Sequence, residues 1–373
     1  MPKLKVFYNK KASVNSKCYS PSAHKPSLVA ADWRDLDVEI CNARFVKTED
    51  FYLAHDKKFV DDILEGRLEN GFGNCDLKIA KTFALTVGAM FSAARHTLIN
   101  SQPIAAALCS GFHHAGYDFN GGFCTFNGLM ITSLMLKKYG LAQKVGILDL
   151  DQHYGNGTDD IINRLNIDFV VHESPRVIES KAEKYLENLE SIIRKKFKGC
   201  DIVLYQAGAD SHVDDPLGGA FTTEQLKRRD QIVFSTLASM VIPVAFNLAG
   251  GYQKEEDGSI PKVLEIHRNT AIEAIKVVRF LKFRSSHYRV TKLQYPVPKN
   301  LGIKKIHIRN VRFSSTDLTV LENLQKIIEQ DTGIRPSVTW VINRLMTLGI
   351  EKFEKQHVFH EDLIDEECQW VTK

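Results

Sequence analysis

Residues 149–158, DLDQHYGNGT, place two carboxylates and an imidazole at alternate positions: Asp149, Asp151 and His153. On an extended backbone, side chains two apart share a face, so all three are expected to look into one crevice. Asp151 and His153, joined by Asp210 from the run QAGADSHVDDPLGG, make three protein ligands for a divalent ion and leave a position for water. That is the pattern of a catalytic zinc site rather than a structural one. Zn²⁺ is the expected ion, with Fe²⁺ compatible, because carboxylate and imidazole ligands accept several divalent metals. An ion in such a site polarises a carbonyl and lowers the pKa of bound water towards about 7, which equips it to cleave an amide.

Amide cleavage also needs a base, an acid for the leaving amine and a donor for the developing oxyanion. The adjacent pair His113 and His114, with Tyr252, can fill these tasks. Adjacent histidines diverge on a strand, but in a loop eased by Gly111 and Gly116 both can turn to one water. Asp149 can accept from one imidazole and Asn156 from the other, and the ring facing the amide should be the less basic. Gly250 and Gly251 permit a sharp turn and close approach of the backbone at Tyr252. The run GGFCTFN reads as a tight loop in which Gly122 turns the chain and Phe123 stands beside an apolar slot. Gly122, Phe123 and Gly251 are therefore the expected substrate-binding positions. A lone histidine or aspartate is most often a satisfied core residue, but four chain segments carrying distinct chemical roles together is not an outcome of packing alone.

The elements that must position these groups are four short apolar runs, IAAALC, KVGILDL, DIVLYQA and PVAFNLA, each followed by glycine or polar punctuation. They read as buried strands whose carboxyl ends meet at the ligand crevice of an open sheet. From residue 1 to 283 such runs alternate with helical patterns, so the expected fold is α/β, a mainly parallel sheet with helices on both faces. Residues 284–302 carry Pro296 and Pro298 with little periodicity and read as a linker. Residues 303–373 read as a small strand-helix-helix module with an acidic tail.

The bulk properties fit this division. A chain of 373 residues with 44% hydrophobic content can fill a large core. Its net charge of +4 is too small to imply a polyanion partner by itself. Seven cysteines, none in a Cys-x-x-Cys pair, indicate neither a disulfide framework nor a cysteine zinc site, and a reducing cytosol is expected. The start MPKLKVFYNKK lacks an apolar h-region and no run of about eighteen apolar residues is apparent, so a soluble, cytoplasmic protein is expected.

The motifs HHAGYDFNGGFCTFN, LDLDQHYGNGT, QAGADSHVDDPLGG and NLAGGY, in this order, resemble the arginase-type histone deacetylase superfamily, which includes acetylpolyamine amidohydrolases. The resemblance spans residues 1–283. It implies a metal at Asp151, His153 and Asp210, a paired-histidine acid/base system at His113 and His114, an oxyanion donor at Tyr252 and Phe123 in an acyl-lysine channel. It also implies a structural K⁺ near Asp149, Asp151 and His153, and Asn156 resembles the class II branch. The expected substrates are acetylated proteins or small acetylated amines. Departures are also visible: the stretch between His153 and Asp210 is short for the family, and no second channel phenylalanine follows His172. An open wall is expected on that side. Val170 stands where a serine hydroxyl commonly helps to hold K⁺.

Beyond the linker, the stretch beginning IHIRNVRFSSTDLTVLENL resembles a ribbon-helix-helix module. In that family the strand pairs with its copy in a second chain and the ribbon enters the DNA major groove. Residues 282–357 hold 14 lysines and arginines against 6 acids, a basic concentration suited to DNA. Homodimerisation and docking of a DNA or protein partner are the corresponding expectations. A regulator that binds an acylated ligand without cleaving it is the alternative from outside the enzymes.

Overall fold

The computed structural model describes residues 3–16, 18–100 and 102–287. Seven strands form one sheet: β1 (Leu4–Tyr8), β2 (Val38–Asn42), β3 (Ile104–Ala107), β4 (Val145–Asp149), β5 (Val170–Glu173), β6 (Ile202–Gly208) and β7 (Val244–Ala249). Their spatial order is β2-β1-β3-β7-β6-β4-β5, and every pairing is parallel. The four apolar runs singled out above are β3, β7, β6 and β4, which lie side by side. Their registers align Ala107 with Asn247, Gln206 with Asn247 and Asp149 with Gln206, so the carboxyl ends finish level.

Parallel strands need crossover helices on both faces, and the central strands are accordingly apolar throughout rather than alternating. Val203 and Tyr205 face one core with Leu148 and Ala106, while Ile202 and Leu204 face the other with Ile147 and Ala105. Helices α1 (Lys25–Asp32), α8 (Ala182–Lys196), α9 (Thr223–Ser239) and α10 (Pro261–His287) supply the first core, through residues such as Val29, Leu189, Phe234 and Val263. Helices α3 (Lys57–Leu64), α5 (Phe83–Ile99) and α6 (Gly128–Lys138) supply the second, through Val60, Met90 and Leu129. The remaining helices are α2 (Thr48–Phe51), α4 (Leu77–Ala80) and α7 (Asn156–Arg164).

The stretch Leu77–Ile99 reaches a mean hydropathy of 1.2, which by length and composition suffices for a membrane span. Its second part is α5, which packs on β1, β3 and β7 and on α6, so its apolar surface is spent on the sheet. Helix α10 continues to His287, so residues 284–287, expected to open the linker, are helical. The rest of that linker and the strand-helix-helix module lie outside the described residues.

Candidate active site

Asp151 and Asp210 follow the ends of β4 and β6, and His153 lies two residues beyond Asp151. Ligand atoms of Asp151, His153 and Asp210 all lie within 4.8 Å of one another. The His153 Nδ1 is 3.2 Å from Asp151 Oδ1 and 3.0 Å from Asp210 Oδ2. The two carboxylates are buried, whereas the His153 side chain is 33% exposed, so the cluster is open to solvent on that side. Burial and the neighbouring Asp151 charge push the Asp210 carboxyl up to about 7. Two carboxylates crowded at one imidazole repel each other, which is why Asp210 holds on to its proton and which a divalent cation would relieve. Two oxygens and one nitrogen are also a donor set such an ion accepts, so the residues present fit the metal.

The alternation expected of Asp149, Asp151 and His153 does not continue as a strand. β4 ends at Asp149, and the next residues bend, with the Asp151 N–H donating to Asp149 Oδ1 at 3.3 Å and the His153 N–H donating to Asp151 Oδ1 at 3.0 Å. Local side-chain bonds of this type replace the ladder once the chain leaves the sheet. Asp149 consequently turns away from the cluster. Fully buried, it accepts from His113 Nδ1 at 2.6 Å and from Gln206 Nε2 at 2.9 Å.

His113 and His114 stand in the loop after β3 with ring centroids 4.1 Å apart. The alternatives left open for their partners resolve cleanly: His113 Nδ1 meets Asp149, and His114 Nδ1 meets Asn156 Oδ1 at 2.6 Å. Burial opposes a charge on His113, but Asp149, Asp151 and Asp210 outweigh it and hold its proton up to about 9. His114 is lowered from its ordinary value, by burial first and by the His113 charge second. The paired rings therefore differ in proton affinity because one faces a carboxylate and the other an amide.

Tyr252 ends the β7 turn with 7% exposure, and burial followed by the Asp210 and Asp151 charges holds its phenol protonated. Gly250, at φ 50°, is required there: a Cβ would lie 2.2 Å from Asp210 Cγ. Gly251, at φ 89°, completes the turn. Phe123 adopts φ 62°, a left-handed conformation costly for a non-glycine residue. Its ring centroid lies 5.5 Å from that of Tyr252 and 6.5 Å from that of Phe72, so the three rings form an aromatic wall. Gly122 presses on the His114 ring, where a Cβ would stand 2.3 Å from Cδ2.

Several side chains that support this arrangement were not singled out from sequence. Asp215 accepts the Tyr252 N–H at 2.7 Å, and its position inside the DSHVDDPLGG run was the available signal. Gln206, a polar residue inside an otherwise apolar strand, could also have been noticed. Lys25, completely buried, donates from Nζ to the Gly250 carbonyl, and burial lowers its pKa to about 8 despite Asp210 and Asp151. His55 donates from Nδ1 to Gly116 O at 2.8 Å and accepts the Asn127 N–H at 2.9 Å, joining the histidine loop to the start of α6. His172 lies beside Asp149, with Nε2 4.0 Å from Asp149 Oδ2 and Nδ1 2.7 Å from Asp159 Oδ1.

Comparison with known proteins follows the same residues. An uncharacterized protein of Picosynechococcus sp. is 31% identical over 189 residues, 44% of this chain and 61% of that protein. Histone deacetylase 2 of Arabidopsis thaliana is 26% identical over 210 residues, 50% of this chain and 54% of that protein. The chain thus spans somewhat more than half the length of these curated relatives. The solved acetylpolyamine aminohydrolase of Burkholderia pseudomallei superposes with a TM-score of 0.58 at 15% identity, covering 73% of this chain and 98% of that one, which shows a shared fold. The family model described as the histone deacetylase domain matches residues 23–179 and 166–265, a stretch holding every side chain of the cluster and well over half the sequence. On that match the chain belongs to the histone deacetylase family.

Proposed function

We propose that the protein is a metal-dependent amidohydrolase that removes acetyl or other acyl groups from lysine side chains of proteins. The observation that carries this reading is the convergence of Asp151, His153 and Asp210 beside two imidazoles of different basicity and a protonated Tyr252. A divalent ion held by Asp151, His153 and Asp210, Zn²⁺ or Fe²⁺, would polarise the amide carbonyl and acidify water at the site. His114 presents a neutral ring, since its Nδ1–H donates to Asn156 and leaves Nε2 to take a proton from water. The same nitrogen then returns that proton to the departing amine. His113, whose Nδ1 lies 2.6 Å from the Asp149 carboxylate, is oriented by it beside the reacting carbon, where positive charge on the ring would offset the negative charge that builds there. The Tyr252 hydroxyl, keeping its proton, donates a hydrogen bond to the carbonyl oxygen as that oxygen becomes negative, while Phe123 flanks the alkyl chain of the lysine. A structural K⁺ near Asp149, Asp151 and His153 belongs to the same proposal and, with Val170 offering no hydroxyl, would rely on carbonyl oxygens.

A second reading shares this chemistry. The fold relative named as an acetylpolyamine aminohydrolase brings small acetylated amines into consideration as substrates. Metal analysis combined with turnover of acetyl-lysine peptides and acetylpolyamines separates the two by the ratio of their kcat/KM. Binding of an acylated ligand by metal-loaded protein without any product would instead leave a non-catalytic regulator. The basic stretch 282–357 supports a DNA or protein partner, which a salt-dependent mobility shift with duplex DNA tests, and the ribbon-helix-helix resemblance supports a dimer, which the oligomeric state of the full chain tests.

A further inference from the structure

The separation of Asp151 and Asp210 is not set by the sheet alone. β4 ends at Asp149 and β6 at Gly208, so both acids lie past the last ladder bonds between these strands. Just past β4 the Leu150 N–H still donates to Gln206 O at 3.1 Å, and Arg229 of α9, whose side chain is 1% exposed, adds a side-chain connection between the segments. Its Nη1 donates to Leu150 O at 3.1 Å and to Gly208 O at 2.8 Å. Leu150 immediately precedes Asp151, and Gly208 lies two residues before Asp210. A single nitrogen therefore ties together the two departing segments that carry the carboxylates. Ser211 Oγ, on the segment after β6, adds a second tie by donating to the same Leu150 carbonyl at 3.0 Å.

The guanidinium is itself held from the other side. Its Nε donates to Asp230 Oδ1 at 2.9 Å, and Asp230 also accepts from the Tyr205 hydroxyl and from Thr270 Oγ1, the latter at 2.5 Å. Tyr205 belongs to β6 and Thr270 to α10, so the anchor rests on the packed core rather than on the loops it restrains. Burying a cation here is unfavourable, and Nη2 finds no protein partner. Apolar residues of similar volume would fill the space without that cost, whereas only a rigid planar fork can hold two carbonyls and a carboxylate at fixed angles.

Building on the metal-centre reading above, we propose that Arg229 is a positioning residue: it sets the spacing of Asp151 and Asp210 to that required by a divalent ion. The test uses the full chain as wild type, Arg229→Lys, Arg229→Met and Thr270→Val. Zn²⁺ affinity is measured by chelator competition, the Co²⁺-substituted visible spectrum is recorded, and metal-free protein is melted. Arg229→Lys should bind Zn²⁺ about 10–100-fold more weakly and change the Co²⁺ spectrum. Thr270→Val, which weakens the anchor without touching either carbonyl, should lower the melting temperature and keep the metal affinity within about threefold. A folded Arg229→Lys with wild-type affinity and spectrum overturns the proposal, as does loss of affinity in both variants in proportion to lost stability. Should Arg229→Lys fail to fold, Arg229→Met decides, since an apolar side chain of similar length removes both carbonyl bonds without leaving a buried cation. A several-fold loss of affinity supports the role, and unchanged affinity refutes it. Wild type that binds no divalent metal overturns the metal-centre reading and this role with it, whereas equal binding by wild type and Arg229→Lys overturns the role of Arg229 alone.

Discussion

His55 makes acid stability a direct probe of how the active-site loops are joined. Its Nδ1–H donates to Gly116 O and its Nε2 lone pair accepts the Asn127 N–H, so a proton added at Nε2 would oppose a donor and bury a charge. Burial lowers its pKa from 6.5 to about 4. Between these values the unfolded chain binds a proton that the folded chain does not, so stability is complete above pH 6.5 and falls as the pH drops towards 4. A shift of this size removes about 2 kcal/mol by pH 5 and about 3 kcal/mol by pH 4. Urea unfolding of wild type and His55→Gln, at several pH values from 7.5 to 4, isolates the contribution because other titrating groups cancel in the difference. The variant should be destabilised by about 1–3 kcal/mol at pH 7.5, having lost well-formed buried hydrogen bonds, and the gap should close by about 3 kcal/mol at pH 4. A gap that stays constant across this range refutes the reasoning, as does a His55 ring resonance in the folded protein that titrates near pH 6.5.

Three further outcomes follow from the site geometry. Tyr252→Phe should retain its fold and lower kcat by about 100- to 1000-fold with KM nearly unchanged, the signature of a donor used in the transition state, as read by steady-state assays on an acetyl-lysine peptide. Gly250→Ala places a methyl group within 2.2 Å of Asp210 Cγ on a backbone at φ 50°, so Zn²⁺ affinity measured by chelator competition should fall by about tenfold or more. Phe123→Gly should be more stable than Phe123→Ala by about 1 kcal/mol in thermal melts, reversing the usual order, because glycine relieves the strain at φ 62°. Both variants should raise KM for the acyl-lysine peptide through loss of the aromatic wall.

What could be read from the chain alone was whatever is encoded locally. The apolar runs that became β3, β4, β6 and β7 announced themselves because strands buried on both faces must be apolar throughout, and polar punctuation marked where each one ended. Reactive residues at those ends were legible for the same reason, since chemistry in an open parallel sheet collects at its carboxyl edge. Direction past the strand end was not legible: Asp149 turned from the cluster towards His113 because the backbone bends after β4, and no alternation rule extends beyond the ladder. Nor could the partners be assigned, for Asp149 and Asn156 were equally available to either imidazole until packing placed the rings. Lys25 and Arg229 look like surface charges in their helices, and a buried cation is distinguished from an exposed one only by what surrounds it. The sequence by itself thus determined the strand framework and the kinds of ligand it would carry, because periodicity and residue chemistry are local. The tertiary structure decided which groups meet and at what proton affinity, because hydrogen-bond partners and desolvation arise from residues distant along the chain.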